Sequence, residues 1–188
     1  MPPVTTTLEP VTRAAWRAWL AAHHADRTEI WLLRHPDAPI TYLDAVEEAM
    51  CFGWIDGIAK RHGDFQAQRF TPRRPRGNWT ELNKERARRL IAAGKMTEAG
   101  HRTLPDLDPT RFVIPADIEA RLRAEPGAWA HFSACPPLYQ RVRVGNVEER
   151  RKRDPEGFEK GLATLVKKAA AGVMWGNWDD RDMARTPD

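Results

Sequence analysis

Residues 54–71 read WIDGIAKRHGDFQAQRFT, and this stretch decides the fold class. Two extended runs, residues 54–61 and 65–71, flank Gly63, which can adopt the positive φ that a tight turn requires. Pro72 follows the second run and ends it, because proline has no N–H to donate to a sheet ladder. The stretch therefore predicts a β-hairpin within a small antiparallel sheet.

Helix signals surround the hairpin. Thr41 and Asp44 have the spacing of a capping box, in which each side chain accepts a hydrogen bond from the other residue's backbone N–H, and so they predict a helix start. Three more elements are predicted: a helix capped by Thr12 with Val11 and Trp16 as a hydrophobic staple, a strand over Glu29–Arg34, and a helix capped by Thr80 and closed near Gly94. Together with the hairpin they indicate an α+β fold.

The second half of the chain is predicted to be helical. Asp154 and Pro155 are typical of an N-cap followed by a first-turn proline. The apolar residues that follow share one helix face, and they are Phe158, Leu162, Leu165, Val166 and Ala169. The tail beyond them has no periodicity, and we expect Trp175 and Trp178 to hold it.

The predicted organisation has two parts. A chain of 188 residues is long enough for one domain or for two small ones that share a core. We predict an α+β core over residues 1–104 and a helical subdomain over residues 105–188. The join over residues 105–115 is short and partly apolar, so we expect the helical subdomain to be packed on the core.

Positive charge is concentrated in residues 60–95, which hold eleven basic and three acidic residues. This segment is therefore expected to face an anionic partner. The net charge of the whole chain is only +4. Because acidic residues balance the basic ones elsewhere, nucleic-acid binding is the weakest of the functional hypotheses, and nucleic acid is not the expected partner.

Other classes of protein lack support because their patterns are absent. No run approaches the roughly 20 apolar residues of a membrane span, so no membrane insertion is expected, and residues 1–10 do not resemble a signal peptide. Cys51 and Cys135 form no CxxC pair, and no HExxH or GxGxxG motif occurs, so we expect neither a metal nor a cofactor. The chain is predicted to be cytoplasmic, with reduced thiols.

Two strings carry a resemblance to a known family. Residues 42–57 read YLDAVEEAMCFGWIDG, and residues 69–74 read RFTPRR. Through them the chain resembles the YdeI/OmpD-associated, or bacteriocin-protection, family, closely over residues 13–104 and more loosely downstream. Over residues 139–153 the chain lacks the Ala-Lys and Glu-Thr-Arg helix that members often carry. The resemblance implies a role in stress and antimicrobial resistance and names no catalytic residue.

A basic loop is the candidate ligand-binding site. Guanidinium groups near the N-terminus of a helix bind anions readily, and an aromatic ring nearby can stack on a base or sugar. The candidate ligand-binding residues are Arg69, Arg73, Arg74, Trp54, Trp79 and Asn83, with Arg76 and Arg86 beside them. The alternative is a solvated basic turn with one arginine paired to Asp56.

Asp56 is the candidate catalytic residue. It follows Trp54 and Ile55, with glycines on either side of this stretch. We therefore expect it to be partly buried, either as an acid/base group or as the structural partner of an arginine. Side chains of a strand alternate between its two faces, and a short hairpin turn would then bring Asp56 and Arg69 to the same face. We expect these two residues, Arg73 and Trp79 to line one cavity.

Three functions remain open at this point. The first is a binding protein for an anionic small molecule, held in a pocket between the hairpin and the basic loop. The second is an enzyme that acts on an anionic metabolite, with Asp56 as acid/base. The third is a nucleic-acid-binding protein that uses residues 60–95, which a steep dependence of binding on salt would reveal.

Overall fold

The computed structural model describes residues 2–9, 12–35, 38–75 and 77–176. In chain order the elements are β1 (Thr7–Leu8), α1 (Arg13–His23), β2 (Ile30–Arg34), α2 (Tyr42–Cys51), β3 (Trp54–His62), β4 (Phe65–Pro72), α3 (Glu81–Ala92), α4 (Glu98–His101), a 3₁₀ helix (Pro109–Arg111), α5 (Ala116–Ala124), α6 (Ala128–Ala134), α7 (Pro137–Glu148) and α8 (Pro155–Ala170). The chain therefore has the predicted α+β fold.

The described residues divide into two compact units. The first comprises residues 2–78 and 86–106, and the second comprises residues 79–85 and 107–176. The first contains all four strands, and the second contains α5–α8. That the helical part is packed on the α+β part stays a prediction.

The four strands form one sheet in the order β1-β2-β4-β3. The predicted hairpin is β3–β4, and Gly63 at its turn has a φ of 60°. Strands β2, β4 and β3 pair antiparallel, as expected, but β1 joins the edge of β2 in parallel. The sheet is therefore mixed and not purely antiparallel. The expectation differed because the sequence signals did not reveal the two-residue strand β1.

Capping side chains define the helices, largely as predicted. Thr12 accepts a hydrogen bond from the N–H of Ala15 at the start of α1, whereas its proposed staple residue Val11 lies outside the described residues. Thr41 and Asp44 form the complete capping box of α2. In the second unit, Asp154 caps α8.

Aromatic side chains fill the core of the first unit. Trp16 of α1 stacks on Trp19 and contacts Phe70 of β4, and Trp19 meets Trp54 of β3 edge to face. Both buried indole N–H groups of this cluster have acceptors, since Trp16 donates to the carbonyl of Ala45 and Trp54 to that of His24. Because each buried indole N–H has a hydrogen-bond acceptor, these tryptophan side chains can be buried in the core without an unpaired donor.

One arginine joins α1 to α2 through three buried carboxylates. The Arg13 guanidinium donates to Asp44 at 2.8 Å, to Glu47 at 3.0 Å and to Glu48 at 2.6 Å. The three acidic residues are 5%, 6% and 2% exposed, respectively. Arg17, one turn along α1, adds a second ion pair to Glu48 at 2.7 Å. The acidic face of α2 is thus buried only because α1 supplies these guanidinium groups.

Replacing Arg13 by methionine should destabilise the protein by about 3–5 kcal/mol, because it leaves buried carboxylates without their main counter-charge. Denaturant unfolding followed by circular dichroism measures the free energy of unfolding. The control is Arg27→Met, since Arg27 is exposed and its nearest ion-pair distance, to Asp26, is 3.9 Å. That control should change stability by less than about 0.5 kcal/mol. Equal effects of the two substitutions would contradict the assigned role of Arg13.

Candidate functional site

Asp56 lies on the helix-covered face of the hairpin. It pairs with Phe70 across β3 and β4, and directly opposed residues of antiparallel strands share a face. Phe70 contacts Trp16 of α1, so this face is the one that packs against the helices. There the Tyr42 hydroxyl, from the first turn of α2, donates a hydrogen bond of 2.5 Å to the carboxylate of Asp56.

Arg69 lies on the opposite face, so the expected pairing of Asp56 with Arg69 is wrong. Arg69 is the neighbour of Phe70 along β4, and its guanidinium binds the carboxylate of Glu29. Across the sheet it stands opposite Trp31 of β2. Asp56 and Arg69 therefore do not line one cavity.

A β-bulge is the physical reason for this difference. Near the turn, Ala59 pairs with Gln68. If this register continued along the strands without interruption, Asp56 would stand opposite Thr71, on the face of the sheet that carries Arg69. The pairing shifts by one residue between Asp56 and Ala59, so Asp56 is turned to the other face. The buried amide of Gln68 supports the bulge by donating to the carbonyl of Gly57 at 2.8 Å.

A buried arginine, Arg73, and a half-buried one, Arg86, lie near Asp56. Arg73 is the residue directly after β4 and is 7% exposed. Its guanidinium donates a hydrogen bond to the carbonyl of Asn78 at 3.0 Å. Burial lowers the pKa of Arg73 to about 10, although the charge of Asp56 acts in the opposite direction. Burial also lowers the pKa of Arg86 on α3, and the charges of Glu47 and Asp56 again oppose the shift. Both guanidinium groups therefore interact electrostatically with the carboxylate of Asp56.

A third guanidinium group reaches the same place from β2. The Cζ atom of Arg34 lies 5.8 Å from the centre of the Tyr42 ring. Its Nε is buried, and no hydrogen-bond acceptor reaches it within the described part of the chain. We call the group formed by Arg34, Tyr42, Asp56, Arg73 and Arg86 the Asp56 cluster. It combines three positive charges with one carboxylate.

The part that Arg74, Trp79 and Asn83 play in binding stays a prediction. Trp54 is 1% exposed in the aromatic core, so its ring does not line a site. Arg74 is exposed in the loop after β4, and Arg76 lies outside the described residues. Trp79 and Asn83 belong to the second unit, where the N–H of Asn83 donates to Thr80 at the start of α3.

The second unit contains a pocket that the sequence reasoning missed. Its volume is about 530 Å³, and the residues that line it are Arg143, Asn146, Val147, Glu149, Arg150, Arg153, Gly161 and Trp175. They come from α7, from the turn that follows it, from α8 and from the segment beyond α8. The signal was the spacing of Arg143, Asn146, Val147 and Arg150, which places them on one side of a helix. We call it the α7–α8 pocket.

The described residues form neither a metal-ion site nor a membrane-spanning helix. Over the described ranges, no three His, Cys, Asp or Glu side chains converge in a way that could hold a metal ion. Likewise, no helix in the described part of the chain is long and apolar enough to cross a membrane. Cys51 and Cys135 are both free and buried.

Two family models match the chain. One is described as a domain of unknown function (DUF8412) and matches residues 8–103, just over half of the chain. The other is described as "Bacteriocin-protection, YdeI or OmpD-Associated" and matches residues 111–172. No curated protein and no solved structure matches the chain.

The matches confirm the suspected YdeI/OmpD-associated resemblance but change its location. The sequence reasoning placed it mainly on residues 13–104, because of the strings around the hairpin. The YdeI/OmpD-associated match instead covers the region of α5–α8. The strings around the hairpin lie within the region matched by the domain of unknown function.

The phenol of Tyr42 should ionise far above the usual range. Burial, and next the hydrogen bond to Asp56, raise the pKa of Tyr42 to about 12. In Asp56→Asn that pKa should fall toward 10 but stop short of it, because the burial remains. Absorbance of tyrosinate, measured in a Tyr139→Phe background, reports the ionisation, and circular dichroism confirms that the protein is still folded. An identical midpoint with and without Asp56 would show that the hydrogen bond has no influence.

Proposed function

We propose that this chain, which belongs to the family described as a domain of unknown function (DUF8412), binds a small anionic molecule at the Asp56 cluster. The group that binds there is an oxyanion such as a phosphate, sulfate or carboxylate. This site retains Asp56 and Arg73 from the predicted set, adds Tyr42, Arg34 and Arg86, and omits Arg69.

The convergence of three guanidinium groups on Tyr42 and Asp56 carries the proposal. Burial lowers the pKa of Arg73 and of Arg86, so negative charge is favoured beside both guanidinium groups. An oxyanion bound beside Arg73 and Arg86 would add charge-assisted hydrogen bonds to them. The buried Nε of Arg34 is a further donor for which such an oxygen would be an acceptor.

The carboxylate of Asp56 competes with a bound anion for the arginines of the site. Its carboxylate repels an incoming oxyanion and acts on the same arginines, while the Tyr42 hydroxyl holds it in place. Tyr42 is 43% exposed and Asp56 is half-buried, so solvent reaches this part of the cluster. Neutralising Asp56 should therefore strengthen the binding of an anion.

The family names suggest a cellular role. The region of α5–α8 matches a family whose description includes bacteriocin protection. We infer that the chain is a cytoplasmic protein associated with stress or antimicrobial resistance, in which anion binding by the first unit is the molecular activity. Comparing the survival of cells with and without the gene under bacteriocin challenge tests this role, and equal survival would contradict it.

The alternative function is an enzyme that acts on an anionic metabolite. The observation that favours it is the hydrogen bond between Tyr42 and Asp56, because a positioned carboxylate beside a hydroxyl and guanidinium groups can serve as acid/base. Asp56→Asn separates the two functions. It should abolish turnover of a metabolite by an enzyme, whereas it should strengthen binding by a simple anion receptor.

Titration calorimetry with phosphate and sulfate tests the proposed binding. Arg86→Gln should weaken binding about tenfold or more, because it removes a charged hydrogen-bond donor. Asp56→Asn should tighten binding, because the competing carboxylate is gone. Arg69→Gln is the matched control, since Arg69 lies on the other face of the sheet and is paired with Glu29.

Three outcomes would contradict the proposal. The first is the absence of binding of either anion to the wild-type protein, and the second is an equal loss of binding in Arg86→Gln and Arg69→Gln. The third is a steep dependence on salt with a preference for polynucleotides over the small anions, which would instead favour the nucleic-acid hypothesis.

A further inference from the structure

The α7–α8 pocket has the size and chemistry of a ligand site. Its volume of about 530 Å³ falls within the roughly 300–1,000 Å³ typical of small-molecule pockets. Its described lining includes three arginines and one glutamate, so its formal charge is positive. Arg153 is paired with Glu149 at 2.8 Å. The excess of positive charge in the lining therefore favours an anionic ligand.

Arg143 is held in position by aromatic rings. Its Cζ atom lies 5.4 Å from the centre of the Tyr139 ring and 5.9 Å from that of Trp175. The backbone beyond α8 lies close to this guanidinium, since a Cβ at Gly176 would be 2.8 Å from one of its nitrogen atoms. Gly176 has a φ of 82°, which favours glycine at this position. The guanidinium is thus pre-organised before any ligand arrives.

Trp175 supplies an aromatic surface beside this charge. Its backbone N–H donates to the hydroxyl of Tyr139 at 2.6 Å, which ties the segment beyond α8 to α7. Its side chain is only partly buried, and it lines the pocket together with Gly161 of α8. A Cβ at Gly161 would make ordinary van der Waals contact with Val147 at 3.6 Å and with the Trp175 ring at 4.0 Å, so α8 and the ring lie close together. A planar ring can stack on such a surface.

We propose that the α7–α8 pocket binds a small molecule that combines an aromatic ring with a phosphate or carboxylate group. The anionic group contacts Arg143 and Arg150, and the ring stacks on Trp175. This site is separate from the Asp56 cluster, because all of its lining residues belong to the second unit and all residues of that cluster belong to the first.

Calorimetry of the full chain with four probes tests the inference. Adenosine 5′-monophosphate and phenyl phosphate carry both groups, adenosine carries only the ring, and inorganic phosphate only the charge. We expect the two combined probes to bind at least tenfold more tightly than adenosine. Failure of both combined probes to bind would overturn the proposal.

Substitutions assign the binding to the pocket. Arg150→Gln, at an exposed residue, should weaken the combined probes about tenfold and leave adenosine unchanged. Trp175→Leu should weaken the combined probes and adenosine alike, whereas Trp175→Phe should preserve most of the binding. The matched control is Arg121→Gln, since Arg121 is an exposed arginine of the same unit that pairs with Glu159. Equal losses in Arg150→Gln and Arg121→Gln would overturn the assignment.

A further pair of variants separates this inference from the proposed function. Arg86→Gln removes a residue of the Asp56 cluster and should leave the binding of phenyl phosphate by the pocket unchanged. Arg150→Gln should in turn leave the binding of sulfate by the Asp56 cluster unchanged. If Arg86→Gln abolished both activities and Arg150→Gln neither, the pocket would not be a ligand site.

Discussion

The ion pairs of Arg13 are the interaction on which the first unit depends. A single guanidinium at the start of α1 binds three carboxylates on α2 that are almost completely buried. Separating the two helices would leave these buried carboxylates without a counter-charge, which costs much free energy. The ion pairs therefore hold the two helices in one relative position. That position sets both Trp16, which packs on the sheet, and Tyr42, which reaches Asp56.

The bulge in β3 turns this framework into a candidate site. Without it, the residues at the start of β3 would point to the sheet face that carries Arg69 and Trp31. With it, Trp54 enters the aromatic core and Asp56 meets the hydroxyl of Tyr42. The cost of the interrupted ladder is reduced by the side chain of Gln68, which donates to a carbonyl of the bulge. One extra residue in a strand thus decides which charges surround Asp56.

The two candidate sites use arginine in different ways. In the Asp56 cluster burial lowers the pKa of Arg73 and of Arg86, and an anion would stabilise their charged forms. In the α7–α8 pocket arginines line an open cavity beside a tryptophan, and affinity would come from stacking as well as from charge. The family matches follow the same division, since they cover residues 8–103 and 111–172 separately. Each unit therefore deserves its own functional assay.

The elements that depend on local interactions could be predicted from the sequence. The capping residues Thr12 and Thr41, the turn at Gly63 and the N-cap at Asp154 all act within a few residues, so their patterns predicted helices and a hairpin. Only the tertiary structure decided the site. The one-residue shift at the bulge, the burial of Arg73 and the contact of Arg143 with Trp175 all depend on packing or on contacts between residues distant in the chain. Local periodicity contains no information about such contacts, and a single shift in register reverses the face of every side chain beyond it.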